Sequence, residues 1–132
     1  MTTAREICFV FIGGTHQIYH LAPVAAELAR RKSRFAVRCF CTDEEAETAL
    51  REIARRMQAE TMEITRLPVP WLARLAVRVT GRPSAAKGPI LASLRWRARR
   101  ACAIVVPERT SAALRKMGWW RPLIHFRHGA GD

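Results

Sequence analysis

Uninterrupted runs of apolar residues constrain the fold of this chain more than any other feature of its sequence. Residues 7–12 read Ile-Cys-Phe-Val-Phe-Ile, and residues 101–106 read Ala-Cys-Ala-Ile-Val-Val. A strand with one face in water alternates apolar and polar residues, whereas a parallel strand covered on both faces is apolar throughout. The two runs therefore predict central strands of a parallel sheet with helices on both faces.

Further segments complete a pattern in which strands alternate with helices. We predict the other strands at residues 35–41, 61–67 and 123–126, and helices at residues 21–31, 71–79, 90–100 and 107–118, with one more helix after residues 42–45. This alternation implies right-handed crossovers and predicts an α/β class, with a Rossmann-like parallel sheet of about five strands in a single domain over residues 1–132. In the usual strand order 3-2-1-4-5, the loops after the first, fourth and fifth strands converge on one crevice.

Local signals add expectations within these elements. Pro23 is predicted in the first turn of the first helix, where its missing N–H is tolerated. Residues 42–45, Thr-Asp-Glu-Glu, are typical of a capping box, and the pairs Glu47/Arg51 and Glu52/Arg56 have the spacing of ion pairs on the following helix. His125 lies inside the predicted fifth strand and is interpreted as a core histidine with satisfied hydrogen bonds.

The cysteines are interpreted as small buried side chains in a reducing compartment. All of them lie in apolar, strand-like runs, and none has the C-x-x-C spacing of a zinc or redox site. They are Cys8, Cys39, Cys41 and Cys102.

The predicted crevice gathers the candidate catalytic and binding residues. His128 follows a strand and is flanked by glycines, which suits a general base at the carboxyl edge of a sheet. The alternative interpretation of His128 is an ordinary loop histidine without a catalytic role. The alternative interpretation of Gly13 is a tight turn that the fold requires. Substrate is expected to contact Gly13, Gly14, Thr15, His16, Glu108, Arg109, Thr110 and Gly129.

Arginine dominates the charge of the chain. The formal net charge is +12, and the only lysines are Lys32, Lys87 and Lys116. Such a balance favours phosphate-bearing substrates, acidic lipid or nucleic acid, although a GC-rich coding bias also replaces lysine with arginine. No RNA-binding module signature is present, and the absence of a metal-ligand cluster favours a mechanism without metal or cofactor.

One predicted helix combines this charge with an aromatic residue. The helix predicted at residues 90–100 has apolar side chains on one face. Its remaining surface carries a tryptophan among arginines, as in helices that lie on anionic lipid or bind RNA. The alternative is the solvated outer face of a core helix. The predicted membrane-contact residues are Arg95, Trp96, Arg97, Arg99 and Arg100.

With these motifs in view, the chain resembles the amino-terminal domain of GT-B-type transferases, most closely the CDP-glycerol glycerophosphotransferase-like group. The resemblance rests on residues 7–28, residues 103–110 and the terminal His128-Gly129. It implies that His128 is the catalytic base, that the donor is CDP-glycerol-like, and that the acceptor is a polymer- or lipid-linked hydroxyl in cell-envelope synthesis. In that family the histidine and glycine are usually followed by Thr-Pro, whereas here they are followed by Ala130-Gly131. The threonine hydroxyl at the third position of the motif is therefore absent.

Other readings stay open. The UDP-N-acetylglucosamine 2-epimerases resemble the chain at the first strand, but their Gly-Thr-Arg-Pro-Glu loop is Gly-Thr-His-Gln here, at residues 14–17. A nucleotide-sugar glycosyltransferase and a basic membrane- or nucleic-acid-binding module are further alternatives. The resemblance also implies that a carboxyl-terminal donor-binding domain is missing, so we expect a fragment that is nearly inactive alone. Residues 7–12 are too few for a membrane span and lack a signal-peptide context, so a cytoplasmic location, peripheral on the plasma membrane, is expected.

Overall fold

Five strands form one parallel sheet in the order β3-β2-β1-β4-β5, as the sequence predicts. The computed structural model describes residues 5–12, 16–31, 35–68, 71–82, 87–107, 114–116, 118–119 and 121–126. The strands are β1 (Arg5–Phe11), β2 (Phe35–Cys41), β3 (Glu63–Arg66), β4 (Ala101–Val106) and β5 (Leu123–His125). Strand β1 pairs with β2 on one side and β4 on the other, so the strand order changes direction there.

Helices cover both faces of this sheet, because successive side chains of a strand point to opposite faces. They are α1 (His16–Arg30), α2 (Glu44–Arg56), α3 (Trp71–Thr80) and α4 (Lys87–Arg97). Phe9 and Phe11 of β1 pack into the cluster that holds α1 and α2. Cys8 and Val10 pack into the second cluster, which α3 and α4 cover. The α/β class is therefore confirmed as a Rossmann-like fold.

Helix α1 begins earlier than predicted, so the placement of Pro23 in its first turn was wrong. The helix spans His16–Arg30, and Pro23 lies in its interior. Proline lacks the N–H that an interior position donates, so one backbone hydrogen bond is lost there. Ile18 is buried in the same cluster as Leu21, and this packing extends the helix toward its amino terminus.

Helix α2 is capped by Asp43 rather than by the predicted Thr42. The Asp43 side chain accepts a hydrogen bond from the backbone N–H of Ala46 at 2.7 Å. Both predicted ion pairs of the outer face are present, Glu47–Arg51 at 3.5 Å and Glu52–Arg56 at 2.8 Å. Helix propensity, capping and surface pairs thus agree along α2.

Strand β5 corrects two predictions. It pairs only with β4, at the edge of the sheet, and Ile124 and Phe126 are each 44% exposed rather than buried. His125 is exposed as well, so its interpretation as a core histidine was wrong. The predicted order 3-2-1-4-5 already places this strand at the edge, but an apolar sequence does not reveal how far other elements cover it.

The remaining elements differ from prediction mainly at their ends. Strand β3 is shorter than the strand predicted at residues 61–67. Helix α4 was predicted at residues 90–100 and spans Lys87–Arg97, so it begins and ends three residues earlier. Of the helix predicted at 107–118, residues 108–113 and 117 lie outside the described residues, while Leu114 and Arg115 form a 3₁₀ turn. Cys102 is only partly buried, contrary to prediction, whereas Cys8, Cys39 and Cys41 are buried.

Candidate functional site

The predicted crevice lies where β1 and β4 end side by side. Their pairing begins with Glu6 opposite Ala101, shifts register between Glu6 and Ile7, and ends with Phe9 opposite Val105, so both strands reach the same edge of the sheet. Strand β5 joins this edge, because the N–H of Phe126 donates to the carbonyl of Val106 at 3.0 Å. In an open parallel sheet, ligands bind at this edge where the strand order reverses.

Most residues predicted for the crevice lie outside the described residues. These are Gly13, Gly14, Thr15, Glu108, Arg109, Thr110, His128 and Gly129. His16 is the first residue of α1. Their roles stay predictions, and the described framework gives only the positions of the strand and helix ends from which the loops extend.

Gln17 is a residue of this edge that no sequence signal singled out. It is the second residue of α1 and is 6% exposed, the only buried polar side chain in the described part of the chain. Its Oε1 accepts no hydrogen bond from any described residue. A buried acceptor without a donor costs about 1 to 3 kcal/mol, and native structures contain only a few such groups. Glutamine near a helix start is equally compatible with an exposed side chain, so burial had to come from the structure.

The backbone at the start of α1 adds a feature that suits anions. The first turn of α1 contains no acidic residue. The first N–H groups of a helix lack partners within it, and the helix dipole stabilises a negative charge at this end. The amino end of α1 is therefore electrostatically compatible with a phosphate group at the crevice.

The basic surface predicted on α4 is present. Ile90, Leu91 and Leu94 are buried against the sheet, while Trp96 is 68% exposed. The exposed residues of this surface are Arg95, Trp96, Arg97, Arg99 and Arg100. The Arg99 guanidinium lies 4.3 Å from the centre of the Trp96 ring, a cation–π contact. Contact of this surface with a membrane stays a prediction.

Helix α3 exposes an apolar stripe that was not predicted as a surface. Its members are exposed to solvent at helical spacing, namely Trp71, Leu72, Leu75 and Val79. Arg74 and Arg78 are exposed on the same helix, and Ala73 is the residue that packs into the core. The spacing is visible in the sequence, but an apolar stripe normally faces the core, so its exposure was not evident.

Charge is distributed unevenly over these elements. No acidic residue occurs between Glu63 and Glu108. The ion pairs found among the described residues all involve arginines of the first half of the chain, in or next to α1, β2 and α2. These arginines are Arg30, Arg31, Arg38, Arg51, Arg55 and Arg56. The arginines of α3 and α4 therefore have no carboxylate partner among the described residues.

Two further findings concern metals and membranes. Within the described ranges, no group of three or more histidine, cysteine, aspartate or glutamate residues has the geometry to hold a metal ion. None of the described helices combines the length and the apolar character that a bilayer span requires.

Comparisons with known proteins add no relative to this picture. No protein-family model matches the chain, and neither a curated protein nor a solved structure matches it.

Proposed function

We propose that this chain is the acceptor-side domain of a GT-B-type transferase that moves a glycerol-phosphate-like group from a CDP-linked donor to an acceptor hydroxyl. The observation that carries the proposal is the strand order β3-β2-β1-β4-β5. This order supports a ligand crevice beyond the carboxyl ends of β1 and β4. The motif residues that resemble the CDP-glycerol glycerophosphotransferase-like group lie in or after β1, β4 and β5 in the sequence.

The proposed reaction is a displacement at phosphorus. The acceptor hydroxyl gives its proton to His128, and its oxygen forms a bond to the phosphorus of the glycerol phosphate unit. The bond from that phosphorus to the bridging oxygen breaks, and cytidine monophosphate leaves with the electron pair. Backbone N–H groups at the start of α1 would offset charge on the phosphate oxygens, and Gln17 Oε1 would accept a hydrogen bond from a substrate hydroxyl.

Replacing His128 in the full-length protein tests the proposal. We expect His128→Ala to lower the release of cytidine monophosphate from CDP-glycerol, with a lipid-linked acceptor, by about a hundredfold or more, because general-base catalysis contributes about 10² to 10⁴-fold. The matched control is His125→Ala, which removes an exposed histidine of β5 three residues earlier. Wild-type turnover in His128→Ala, or equal losses in both variants, would contradict the proposal.

The donor distinguishes the alternatives within the same fold. Turnover of a uridine-diphosphate sugar, with no reaction of CDP-glycerol, would favour the glycosyltransferase or the epimerase. Release of the nucleotide together with transfer of the sugar would indicate the glycosyltransferase. Inversion of configuration at C2 of the sugar would indicate the epimerase.

We further propose that the chain binds anionic membrane surfaces reversibly through α3 and α4. Helix α3 presents exposed Trp71, Leu72 and Leu75, and it packs against α4, whose exposed arginines lack described carboxylate partners. Apolar side chains insert at the lipid interface, while each arginine near an anionic surface contributes about 1 kcal/mol. Acceptors of the proposed transferase are polymer- or lipid-linked, and a lipid-linked acceptor makes the two proposals compatible.

Sedimentation with lipid vesicles tests this second proposal. We expect binding to phosphatidylglycerol vesicles that weakens several-fold at about 0.5 M NaCl, where the Debye length is only about 4 Å. Leu75→Ser should reduce binding, whereas Val24→Ser on α1 should not, although the two residues are 46% and 44% exposed. Equal binding to phosphatidylcholine vesicles, or equal effects of both substitutions, would overturn the proposal.

A further inference from the structure

A cavity of about 300 Å³ lies between the second half of α4 and the segment that leads into β5. Its wall is largely cationic and aromatic, formed by Arg95, Trp96, Arg99, Gly118, Trp119 and Arg121. Helix α4 leads into β4, and residues 118–121 lead into β5. The cavity therefore lies at the edge where β4 and β5 begin, opposite the crevice of the proposed transferase.

Backbone contacts hold the arginines around this cavity. Arg121 Nη1 donates hydrogen bonds to the carbonyls of Arg99 at 2.8 Å and Ala101 at 2.7 Å. Arg99 Nη1 donates to the Trp96 carbonyl at 3.0 Å while its guanidinium covers the indole ring. These contacts tie the segment before β5 to the end of α4, so two guanidinium groups are fixed before any ligand arrives.

Gly118 gives the third guanidinium its place in the wall. Its φ of +91° lies in the region that L side chains rarely adopt. A Cβ at this position would come within 3.3 Å of Arg95 Nη2, so the Arg95 head group packs directly over the glycine. The chain thus brings Arg95 close to the loop that carries Trp119 and Arg121.

Two arginines of the cavity wall, Arg95 and Arg99, have no counter-charge among the described residues. Neither Arg95 nor Arg99 forms an ion pair with a carboxylate of the described residues. Trp119 is also buried, and its indole N–H has no acceptor among those residues. Guanidinium groups brought together without a counter-charge repel each other, and an anion between them removes this repulsion.

We propose that this cavity binds a phosphate group, held by the guanidinium groups of Arg95 and Arg99. Planar guanidinium groups match phosphate oxygens in bidentate hydrogen bonds, which favours phosphate over a smaller anion. The indoles of Trp96 and Trp119 offer apolar surface to the organic part of a phosphate ester. The site goes beyond the proposed transferase, because it lies at the other edge of the sheet and uses none of the residues assigned to the crevice.

Calorimetric titration tests the site with two probes, inorganic phosphate and phenyl phosphate, at constant ionic strength. We expect binding of both probes, with phenyl phosphate the tighter one. Arg95→Gln should weaken binding by about tenfold or more, because hydrogen bonds to charged groups are among the strongest in proteins. The matched control is Arg97→Gln, which removes an exposed arginine of the same helix that does not line the cavity.

A second variant keeps the test decisive if Arg95→Gln fails to fold. Arg99→Gln removes a guanidinium of the wall, and its circular dichroism spectrum reports whether the helices persist. Absence of phosphate binding to the wild-type chain, or equal weakening by Arg95→Gln and Arg97→Gln, would overturn the proposal. Failure of vesicle binding or of transferase activity leaves this test unaffected, because the probes are soluble and no turnover is measured.

Vesicles distinguish the two sources of the phosphate. If the ligand is a lipid headgroup, Arg95→Gln should lower binding to phosphatidylglycerol vesicles more than Arg97→Gln does. If the ligand is a soluble phosphate ester, the two variants should bind vesicles equally while only Arg95→Gln loses affinity for phenyl phosphate. Either pattern supports a phosphate site in the cavity.

Discussion

At the residue scale, the cysteines show how burial controls reactivity in this fold. Burial raises the pKa of Cys41 to about 11, with the nearby carboxylates of Glu47 and Asp43 acting in the same direction. Burial likewise raises the pKa of Cys39 and of Cys8, and the Cys8 thiol donates a hydrogen bond to Glu6. Because the thiolate is the reactive form, these three thiols are expected to be inert in the native chain.

Cys102 should therefore be the thiol that a reagent labels first. It is partly exposed, whereas the other three cysteines are buried. With an aromatic disulfide reagent at mildly alkaline pH, we expect one fast phase of one thiol per native chain, absent in Cys102→Ser. The control Cys39→Ala should keep the fast phase. A fast phase of two or more thiols, or one that survives Cys102→Ser, would show that the buried strands open more readily than the packing implies.

At the element scale, α2 is the helix whose local signals agree best. Asp43 caps its first turn, and Glu44, Glu45 and Glu47 place negative charge near the positive end of the helix dipole. Hydrogen bonds from Arg55 and Arg56 lower the pKa of Glu52 near the other end. Ala46 and Leu50 are buried, and Ala49, Ile53 and Ala54 pack against the same core cluster, so capping adds to the tertiary packing that holds this helix.

Replacing Asp43 measures that contribution. Asp43→Ala removes the acceptor for the Ala46 N–H and should cost about 1 kcal/mol of unfolding free energy. For a domain of this size, that corresponds to a fall of about 3 to 5 °C in the melting temperature. Asp43→Asn retains an acceptor and should stay close to wild type. Calorimetry that finds the two variants equally stable would show that the side-chain cap does not stabilise α2.

At the scale of the whole molecule, charge divides the chain into two unlike parts. The described ion pairs belong to α1, α2 and the strands beside them, while the chain from Glu63 to Glu108 has no acidic residue in between. Surface ion pairs contribute little to stability, but uncompensated charge on one side creates a field that attracts anions from a distance. Both anionic ligands proposed outside the crevice contact arginines of this second part.

The sequence predicts the framework of the fold and much less of its surfaces. Uninterrupted apolar runs predict β1 and β4 because burial on both faces removes every polar position. The alternation with helices predicts a parallel sheet, for which 3-2-1-4-5 is the usual order. Exposure of Phe126 and of Leu75 could not be predicted, since an apolar residue has the same local signal at an edge or on a helix as it has in the core. The orphan acceptor of Gln17 and the cavity beside Trp119 depend on contacts between distant segments, which periodicity does not contain.

The pairing of β1 with β4 sets the order in which the sheet can be completed. Phe9 lies opposite Val105, and closing contacts between segments so far apart in sequence makes folding slow compared with helical proteins. During synthesis, β1 and β2 leave the ribosome with both helices of the first face while β4 has not yet been made. Until β4 has been synthesised, one edge of β1 has no neighbouring strand. The unpaired N–H and C=O groups along that edge make the nascent chain prone to aggregation during this interval.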